Sequence, residues 1–431
     1  MSDLTKRILF VIAMLILYRI GTYIPLPGIN NAVLSAFIKE NAGGMLGMFN
    51  MFTGGALGRM SIFALNIMPY ITASILIQLF SMISKDMATM RKEGDVGRKK
   101  VAQYTRYLTI ALATFQGYGI AVGAENMKID GANVVLDPGL TFRFISTISL
   151  VGSTVFIIWM TDQISMKGVG NGSSLIIFTG IVAGLPSALA SLLEMGKTGS
   201  ISLPSIALIL LVCVGLVMMI IFFERAQRKI QVTYPKRQVG NKIYGGDSTH
   251  LPLKLNTAGV LGPIFASSLL LFPTTIMGFL GANADVDSWQ YQIMFHLSHG
   301  RIAYMIVYVA LICFFSFFYT SVVFNSEETA ENLRKAGAVI TSKRPGAQTA
   351  QYLSYVLTRL TVIGSLYVAF ICVLPEILIA HYSVPFYLGG TSLLIVVNVV
   401  IDMFQQIQTH LLSGHYNNLM KGSALLTKRS R

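Results

Sequence analysis

Residue types that carry out enzymatic chemistry are present in this chain, but their spacing matches no catalytic motif. The segment MGKTGS at 195–200 imitates the end of a phosphate-binding loop, yet that motif needs a glycine five residues before Gly196, where Ser191 stands. The six histidines form neither H-E-x-x-H nor any other ligand cluster, and no serine lies in a G-x-S-x-G elbow. The sequence therefore predicts no enzymatic activity, no metal site and no cofactor.

The cysteines and the charged residues within apolar runs also carry little chemistry. The three cysteines stand singly, with neither disulfide nor C-x-x-C spacing, and are expected to pack against other helices. Charged residues inside spans would indicate an ion-coupled transporter, but few are found here. Those near the ends of apolar runs, where they can snorkel to the membrane surface, are Arg19, Arg106, Asp162, Glu224 and Arg359. Only Asp402 lies well inside a run, so an ion-coupled carrier is disfavoured, whereas a carrier that binds a small solute through amides and hydroxyls stays open.

A set of isoleucines offers a different kind of site. Ile67 and Ile71 are four residues apart and share one helix face, and Ile264 directly follows a proline. Ile177 and Ile395 lie in two further apolar runs. A constriction lined by isoleucine excludes ions by dewetting rather than by charge. Most isoleucines in membrane proteins face lipid or neighbouring helices, so ordinary packing is the alternative interpretation.

The composition indicates that the elements carrying these residues are membrane helices. With 53% hydrophobic and 12% charged residues, the chain is too apolar for a water-soluble globule. Runs close to the roughly 20 residues that cross a bilayer recur along the whole sequence. The ten candidate spans are residues 7–24, 61–83, 101–123, 143–163, 171–193, 204–223, 259–281, 302–324, 353–375 and 384–406. The first resembles a signal peptide, but no small-residue cleavage site follows it, so it is expected to remain as a span.

The net charge of +14 is distributed unevenly among the loops. Basic residues concentrate at the termini and in alternate loops, above all in residues 85–100, 224–256 and 325–350. Cytoplasmic loops of membrane proteins carry an excess of Lys and Arg, so both termini and these basic loops are predicted to be cytoplasmic. Topology therefore accounts for the charge without a nucleic-acid-binding domain.

The span count predicts an inverted repeat. Ten spans with both ends on one side divide into five plus five, predicted as residues 1–203 and 204–431, and an odd number per half inverts the second half. The second span of each half is interrupted by glycine and proline, in GGALGRMSIFALNIMPY and AGVLGPIFASSLLLFP. Interrupted helices in corresponding positions point to a pathway between the halves. The predicted fold is an all-α polytopic membrane protein of ten transmembrane helices in two inverted five-helix halves.

Two long segments carry a resemblance to a known family. GGALGRMSIFALNIMPYITASILIQ at 54–78 and WMTDQISMKGVGNGSSLII at 159–177 resemble the signature regions of the SecY family, the channel-forming subunits of bacterial protein translocases. The resemblance covers essentially the whole chain, with further similar segments at 19–29, 93–107, 248–259, 344–353 and 384–397.

The resemblance implies a central hourglass pore that passes unfolded secretory polypeptides and releases hydrophobic segments laterally into lipid. Its pore ring would be Ile67, Ile71, Ile177, Ile264 and Ile395. A half-helix at about 45–59 would be the plug under the ring, with Met45, Phe49, Phe52, Gly54, Gly55 and Arg59 as plug residues. The glycine pairs at 43–44 and 54–55 suit a segment that swings aside, because glycine tolerates unusual backbone angles.

Further sites follow from the same resemblance. Spans two, three, seven and eight would form a lateral gate, with Thr72, Gln116, Phe272 and Ile276 on the gate helices. The loops at 224–256 and 325–350 would dock a motor or a ribosome through Lys236, Arg237, Lys242, Lys343 and Arg344. Contacts with ribosomal RNA would be made largely to phosphates and would depend on salt.

The resemblance also implies a set of partners, of which the motor or the ribosome would supply the energy, because the sequence has no ATP-binding motif. They are the SecE and SecG subunits, the SecA motor ATPase, the ribosome, signal sequences and unfolded preproteins, with SecDF, YidC and anionic lipids as further partners. The expected location is the cytoplasmic (inner) membrane of a bacterium, with both termini in the cytoplasm.

The chain departs from the family pattern in places, and other functions share its architecture. Asn66 stands where the family usually has glycine, Pro263 is shifted by one position, and Glu327 replaces a residue that is often basic. A secondary transporter of a small solute would have a central polar site, whereas a protein channel would have an apolar waist. A lipid-flipping or insertase-like protein would need a polar groove open to lipid.

Overall fold

The computed structural model describes residues 2–34, 53–129, 132–198, 202–234, 237–239, 242–244, 248–280, 301–341, 343–382 and 389–429. Most of these residues are helical. The helices are α1 (Ser2–Gly21), α2 (Met68–Ile83), α3 (Lys85–Lys92), α4 (Asp95–Asn126), α5 (Leu140–Lys167), α6 (Gly172–Lys197), α7 (Leu203–Arg225), α8 (Leu261–Leu280), α9 (Ile302–Val323), α10 (Ser326–Lys335), α11 (Ala347–Tyr382) and α12 (Gly390–Arg429).

The long helices coincide with the predicted membrane spans. By length and composition, seven stretches of the described chain could cross a bilayer, and they lie on α4, α5, α6, α7, α9, α11 and α12. Shorter apolar stretches lie on α2 and α8. Together with α1, these helices account for each of the ten spans that hydropathy predicts. The chain folds as an all-α polytopic membrane protein.

The second span begins later than the sequence suggested. The apolar run starts at residue 61, but residues 62–67 form successive turns and α2 begins at Met68. Asn66 has a φ of +50°, which interrupts helical geometry, and Pro69 stands in the first turn of α2, where its missing N–H costs no hydrogen bond. The helix of the second span therefore begins seven residues after the predicted start of that span.

The same neighbour relations recur in the two halves of the chain. In the first half α4 packs against α2 and α5, α5 packs against α6, and α1 contacts α5 and α6. In the second half α9 packs against α8 and α11, α11 packs against α12, and α7 contacts α11 and α12. Contacts between the halves join α12 to α6 and α1, and α8 to α2 and α4. One large cluster of buried apolar side chains extends across both halves.

A small sheet connects the two basic loops. The strands of the described chain are β1 (Lys128–Ile129), β2 (Ala132–Asn133), β3 (Gln227–Thr233), β4 (Arg237–Val239), β5 (Lys242–Tyr244), β6 (Ser248–Lys254) and β7 (Val339–Ile340), and this sheet contains β3, β6 and β7. β3 is the central strand of the order β6-β3-β7, and it pairs antiparallel with both neighbours. Ile230 and Val232 of β3 pack in a separate apolar cluster with Ile340 and the first turns of α11. The loops at 224–256 and 325–350 therefore form one folded unit.

Candidate functional site

The five isoleucines singled out in the sequence lie around one small cavity. Its lining consists of Asn66, Ile67, Met68, Ile71, Ile177, Ile264, Ser267 and Ile395. The cavity has a volume of about 10 Å³, at the lower limit of the roughly 10–15 Å³ that a single water molecule needs. Ile67, Ile71, Ile177, Ile264 and Ile395 are called the collar below, and the collar is closed in this structure.

Local structure explains how each collar residue reaches the cavity. Ile67 caps α2, and the N–H of Ile71 donates to the Ile67 carbonyl at 3.1 Å, which stacks the two side chains one helical turn apart. Ile264 lies in the first turn of α8, while Ile177 and Ile395 lie in the second turns of α6 and α12. All five are buried. The collar is thus assembled from the beginnings of four helices that belong to both halves of the chain.

Two polar residues also line the cavity. Asn66 is buried and has a left-handed backbone, a conformation that asparagine tolerates better than most residues. Ser267 directs its hydroxyl to the Ile264 carbonyl, to which it donates at 3.0 Å. The waist is therefore mainly, but not completely, apolar.

Two arginines meet at the Gly54 carbonyl beside the end of α1. Arg19 Nη1 donates to this oxygen at 2.7 Å and Arg59 Nη2 donates to it at 3.1 Å. Arg59 Nε also donates to the Thr22 carbonyl at 3.3 Å. The guanidinium carbon of Arg59 lies 4.1 Å from the centroid of the Tyr23 ring, and that of Arg19 lies 5.1 Å from it. Arg59 was singled out in the sequence, whereas Arg19 was interpreted only as a snorkelling residue.

The electrostatics and packing of this cluster fix Gly54 closely. Burial of its side chain lowers the pKa of Arg59, and the proximity of Tyr23 opposes this effect; an arginine nevertheless stays charged at neutral pH. Gly54 has a φ of +65°, and a Cβ atom added to it would lie 2.9 Å from the Cα of Gly180 in α6. Only glycine fits both constraints.

The remaining predicted plug residues are described in part. Residues 53–60, including Gly54, Gly55 and Arg59, form turns rather than the predicted half-helix, because both glycines adopt positive φ values. Met45, Phe49 and Phe52 lie outside the described residues, as does the glycine pair at 43–44. Their role as a plug stays a prediction.

The predicted gate helices meet across the two halves. α8 contacts α2 and α4, which brings the seventh predicted span against the second and third. Thr72 is half-buried on α2, and its hydroxyl donates to the Met68 carbonyl at 3.1 Å. Gln116 is half-buried on α4. Phe272 and Ile276 lie on the second half of α8, where the structure describes the backbone only.

Four of the five predicted docking residues lie on or near the strands of the two loops at 224–256 and 325–350. Lys343 and Arg344 are exposed in the turn before α11, with the Lys343 Nζ atom 5.5 Å from the centroid of the Tyr352 ring. Arg237 lies on β4 and Lys242 on β5, where only the backbone is described. Lys236 lies outside the described residues.

The charged residues within the apolar runs differ in their surroundings. Arg106 of α4 and Asp162 of α5 form an ion pair at 2.6 Å. Asp402 is exposed on α12, whereas Glu224 is buried at the end of α7 instead of snorkelling. Among the residues that the structure describes, no group of three or more His, Cys, Asp or Glu side chains could hold a metal ion.

Comparison with known proteins identifies the family. The SecY family model matches residues 61–404, which is more than half of the chain. The chain belongs to the SecY family. It is 55% identical to the protein translocase subunit SecY of Rickettsia typhi, over 97% of this chain and 96% of that protein. It is 48% identical to the Escherichia coli K12 subunit of the same name, over 99% of this chain and 96% of that protein.

Solved structures of similar fold are those of protein-conducting channels. A structure described as that of a protein conducting channel superposes with a TM-score of 0.70 at 18% sequence identity, covering 94% of this chain and 92% of that one. A second, on the plug domain of SecY, has a TM-score of 0.67 at 20% identity with the same coverage. Sec61 from a canine ribosome-channel complex has a TM-score of 0.66 at 18% identity, again with the same coverage. These likenesses establish a common fold with SecY and Sec61 channels.

Proposed function

We propose that this chain is the pore-forming subunit of a protein translocase. It passes unfolded secretory polypeptides across a membrane and releases hydrophobic segments sideways into lipid. The observation that carries the proposal is the collar, because side chains from four helices of both halves converge on one closed cavity. The SecY subunits to which the chain is 48–55% identical are named as translocase subunits.

The collar acts as an adjustable seal. Isoleucine side chains offer no charge or strong hydrogen-bonding group, so a narrow ring of them excludes ions by dewetting. They also bind no particular residue type of a passing polypeptide. When a chain enters, the helix beginnings that carry the collar move apart, and the branched side chains pack around it.

The segment at about 45–59 acts as the plug that blocks the pore when no polypeptide is present. Its attachment point is Gly54, which the two arginines hold against α1. One solved relative is described as a channel whose plug domain stabilises the closed state and maintains a membrane seal. Displacement of the plug opens the pathway that the collar lines.

Hydrophobic segments leave between the α2–α4 and α8–α9 pairs. The contact of α8 with α2 and α4 supports this location, because it is an interface between the halves that can part without unfolding a helix. Thr72, Gln116, Phe272 and Ile276 are proposed to line it. The division into residues 1–203 and 204–431 is supported by the repeated helix neighbours of the two halves.

The cytoplasmic sheet and its loops bind the partner that drives transport. A ribosome is one such partner, because a solved relative is the Sec61 channel of a ribosome-channel complex. SecA is proposed as the motor for finished chains, and SecE and SecG as companion subunits. The proposed location is the bacterial cytoplasmic membrane, with both termini and the docking loops in the cytoplasm, and the chain itself acts as a channel rather than as an enzyme.

Site-specific crosslinking tests this proposal. A photoreactive residue is introduced at position 67, 71, 177, 264 or 395, and a secretory polypeptide is stalled during transport. Each position should crosslink to the stalled polypeptide, whereas the exposed Leu211 on the outer face of α7 should not. Absence of crosslinks at all five collar positions would overturn the proposal.

Ion conductance separates the channel from a solute carrier. Deletion of residues 45–58 should produce a resting ion leak in a plugged channel, whereas a carrier would lose solute uptake without leaking. The mainly apolar lining of the collar cavity favours the channel, because a carrier needs a polar binding site at this depth.

A further inference from the structure

Glu224 is a buried carboxylate that belongs neither to the collar nor to the predicted docking residues. It lies in the last turn of α7 and is only 7% exposed. Its Oε1 atom accepts a hydrogen bond from Nδ2 of Asn256 at 2.7 Å. A buried carboxylate is costly unless its hydrogen bonds are kept, so the pair constrains both residues.

Asn256 in turn closes the turn that precedes α8. Its Oδ1 atom accepts from the Gly259 N–H at 3.1 Å, and its Nδ2 atom donates to the Gly259 carbonyl at 3.1 Å. Gly259 has a φ of +58°, which permits this tight turn. Asn256 is therefore shared between the end of α7 and the beginning of α8.

The turn that Asn256 closes leads directly to the collar. Ile264 follows Gly259 by five residues, and its N–H donates to the Val260 carbonyl at 3.3 Å in the first turn of α8. A shift of the turn must therefore shift Ile264 as well.

The chain that leads into this turn is fixed by its neighbours. A Cβ atom added at Gly364 of α11 would lie 2.8 Å from the Leu255 carbonyl oxygen, so α11 packs directly on the chain before Asn256. The Leu255 N–H donates to the Ala226 carbonyl at 3.0 Å, which ties the same chain to the end of α7. With these supports fixed, the Glu224–Asn256 hydrogen bond determines where the turn sits.

We propose that Glu224 and Asn256 are positioning residues that set the location of Ile264 in the collar. They act through the turn at 256–259 and touch neither the polypeptide nor the cavity. The inference rests on the proposed role of the collar as a seal. Loss of the hydrogen bond lets the beginning of α8 shift, so the collar closes less tightly.

Resting ion conductance of the full-length channel in planar bilayers tests the inference. Glu224→Ala should raise the leak roughly tenfold, the effect expected for losing one hydrogen bond to a carboxylate. Asn256→Ala also loses the two hydrogen bonds to Gly259 and should raise the leak at least as much. The double variant should leak no more than the leakier single variant, because both remove the same contact. Glu224→Gln keeps an acceptor oxygen for Asn256 and should stay close to the unaltered channel.

Two further variants make the result interpretable. Ile264→Gly should leak if the collar is the seal, so a tight Ile264→Gly channel would overturn the proposed function itself. If Ile264→Gly leaks while the Glu224 and Asn256 variants seal normally, only the positioning role fails. Glu328→Ala, which removes an exposed carboxylate from α10, should leave the resting conductance unchanged.

A crosslinking measurement covers the case in which Glu224→Ala does not fold. In a channel carrying Ile71→Cys and Ile264→Cys, disulfide formation reports the approach of α2 and α8 at the collar. Adding Asn256→Ser, which shortens the side chain, should slow this crosslink severalfold, and adding Glu224→Gln should not. An unchanged crosslinking rate with Asn256→Ser would overturn the inference.

Discussion

At the scale of single residues, the structure shows side-chain contacts that the sequence did not predict. The collar isoleucines were identified through the family resemblance, because isoleucine spacing alone does not distinguish a pore lining from packing. Arg19 was missed because its partner, Gly54, lies 35 residues away and beyond the end of its helix. Hydropathy places Arg19 near a span end but contains no information about which carbonyl it meets.

Arg19→Gln should weaken the attachment of the plug. The glutamine amide cannot replace a charged donor to the Gly54 carbonyl, so the resting leak should rise about fivefold, equivalent to about 1 kcal/mol of closed-state stability. Conductance in planar bilayers measures the effect. Lys6→Gln, which removes an exposed charge from the same helix, serves as the matched control and should seal normally.

The plug deletion distinguishes a plug-specific role of Arg19 from a general one. If Arg19 acts through Gly54, then Arg19→Gln should add no leak to a channel that already lacks residues 45–58. An additional leak in that background would indicate that Arg19 supports α1 packing instead.

At the scale of elements, long apolar runs predicted the membrane helices well and predicted their interruptions poorly. A run of about 20 apolar residues has few alternatives in a bilayer, which is why the ten spans were recognisable. The late start of α2 depends on the left-handed backbone of Asn66, and hydropathy does not detect backbone angles. Strand β3, and with it its partner β6, could have been predicted from the sequence, because the apolar Ile230 and Val232 alternate with polar neighbours and are buried between exposed side chains.

Val232→Asp should disrupt the β6-β3-β7 sheet. The side chain is buried in the apolar cluster under the central strand, so an aspartate there should cost at least about 2 kcal/mol and loosen the loops. Limited proteolysis of the loops and partner-driven translocation both measure the result. Gln231→Asp adds the same charge to the exposed face of β3 and should behave like the unaltered channel.

At the scale of the whole molecule, the arrangement of helices follows from contacts that no sequence pattern describes. The collar requires α2, α6, α8 and α12 to begin at one depth, although their collar residues are separated by more than a hundred positions in most cases. The family resemblance supplied that arrangement, whereas periodicity and charge supplied only the spans and their orientation. The proposed docking surface likewise depends on a sheet that joins two separate loops.

Arg344→Glu should slow partner-driven translocation about tenfold or more, with little effect on melting temperature. The side chain is exposed, so charge reversal changes encounter with a partner rather than packing. Transport of a secretory substrate into membrane vesicles, compared at low and high salt, measures the effect. Gln348→Glu introduces a negative charge nearby on the first turn of α11 and should have a smaller effect; normal transport by Arg344→Glu would remove Arg344 from the docking site.

The seven-residue pairing of β3 with β6 has a practical consequence for how this protein can be expressed. The residues between Thr233 and Ser248 connect these two strands, so a break in the chain there interrupts neither the ladder between β3 and β6 nor a helix of the described chain. Two polypeptides divided at that point, one ending after β3 and the other beginning before β6, should find each other when co-expressed and reconstitute a working pore. Each fragment could then be labelled separately.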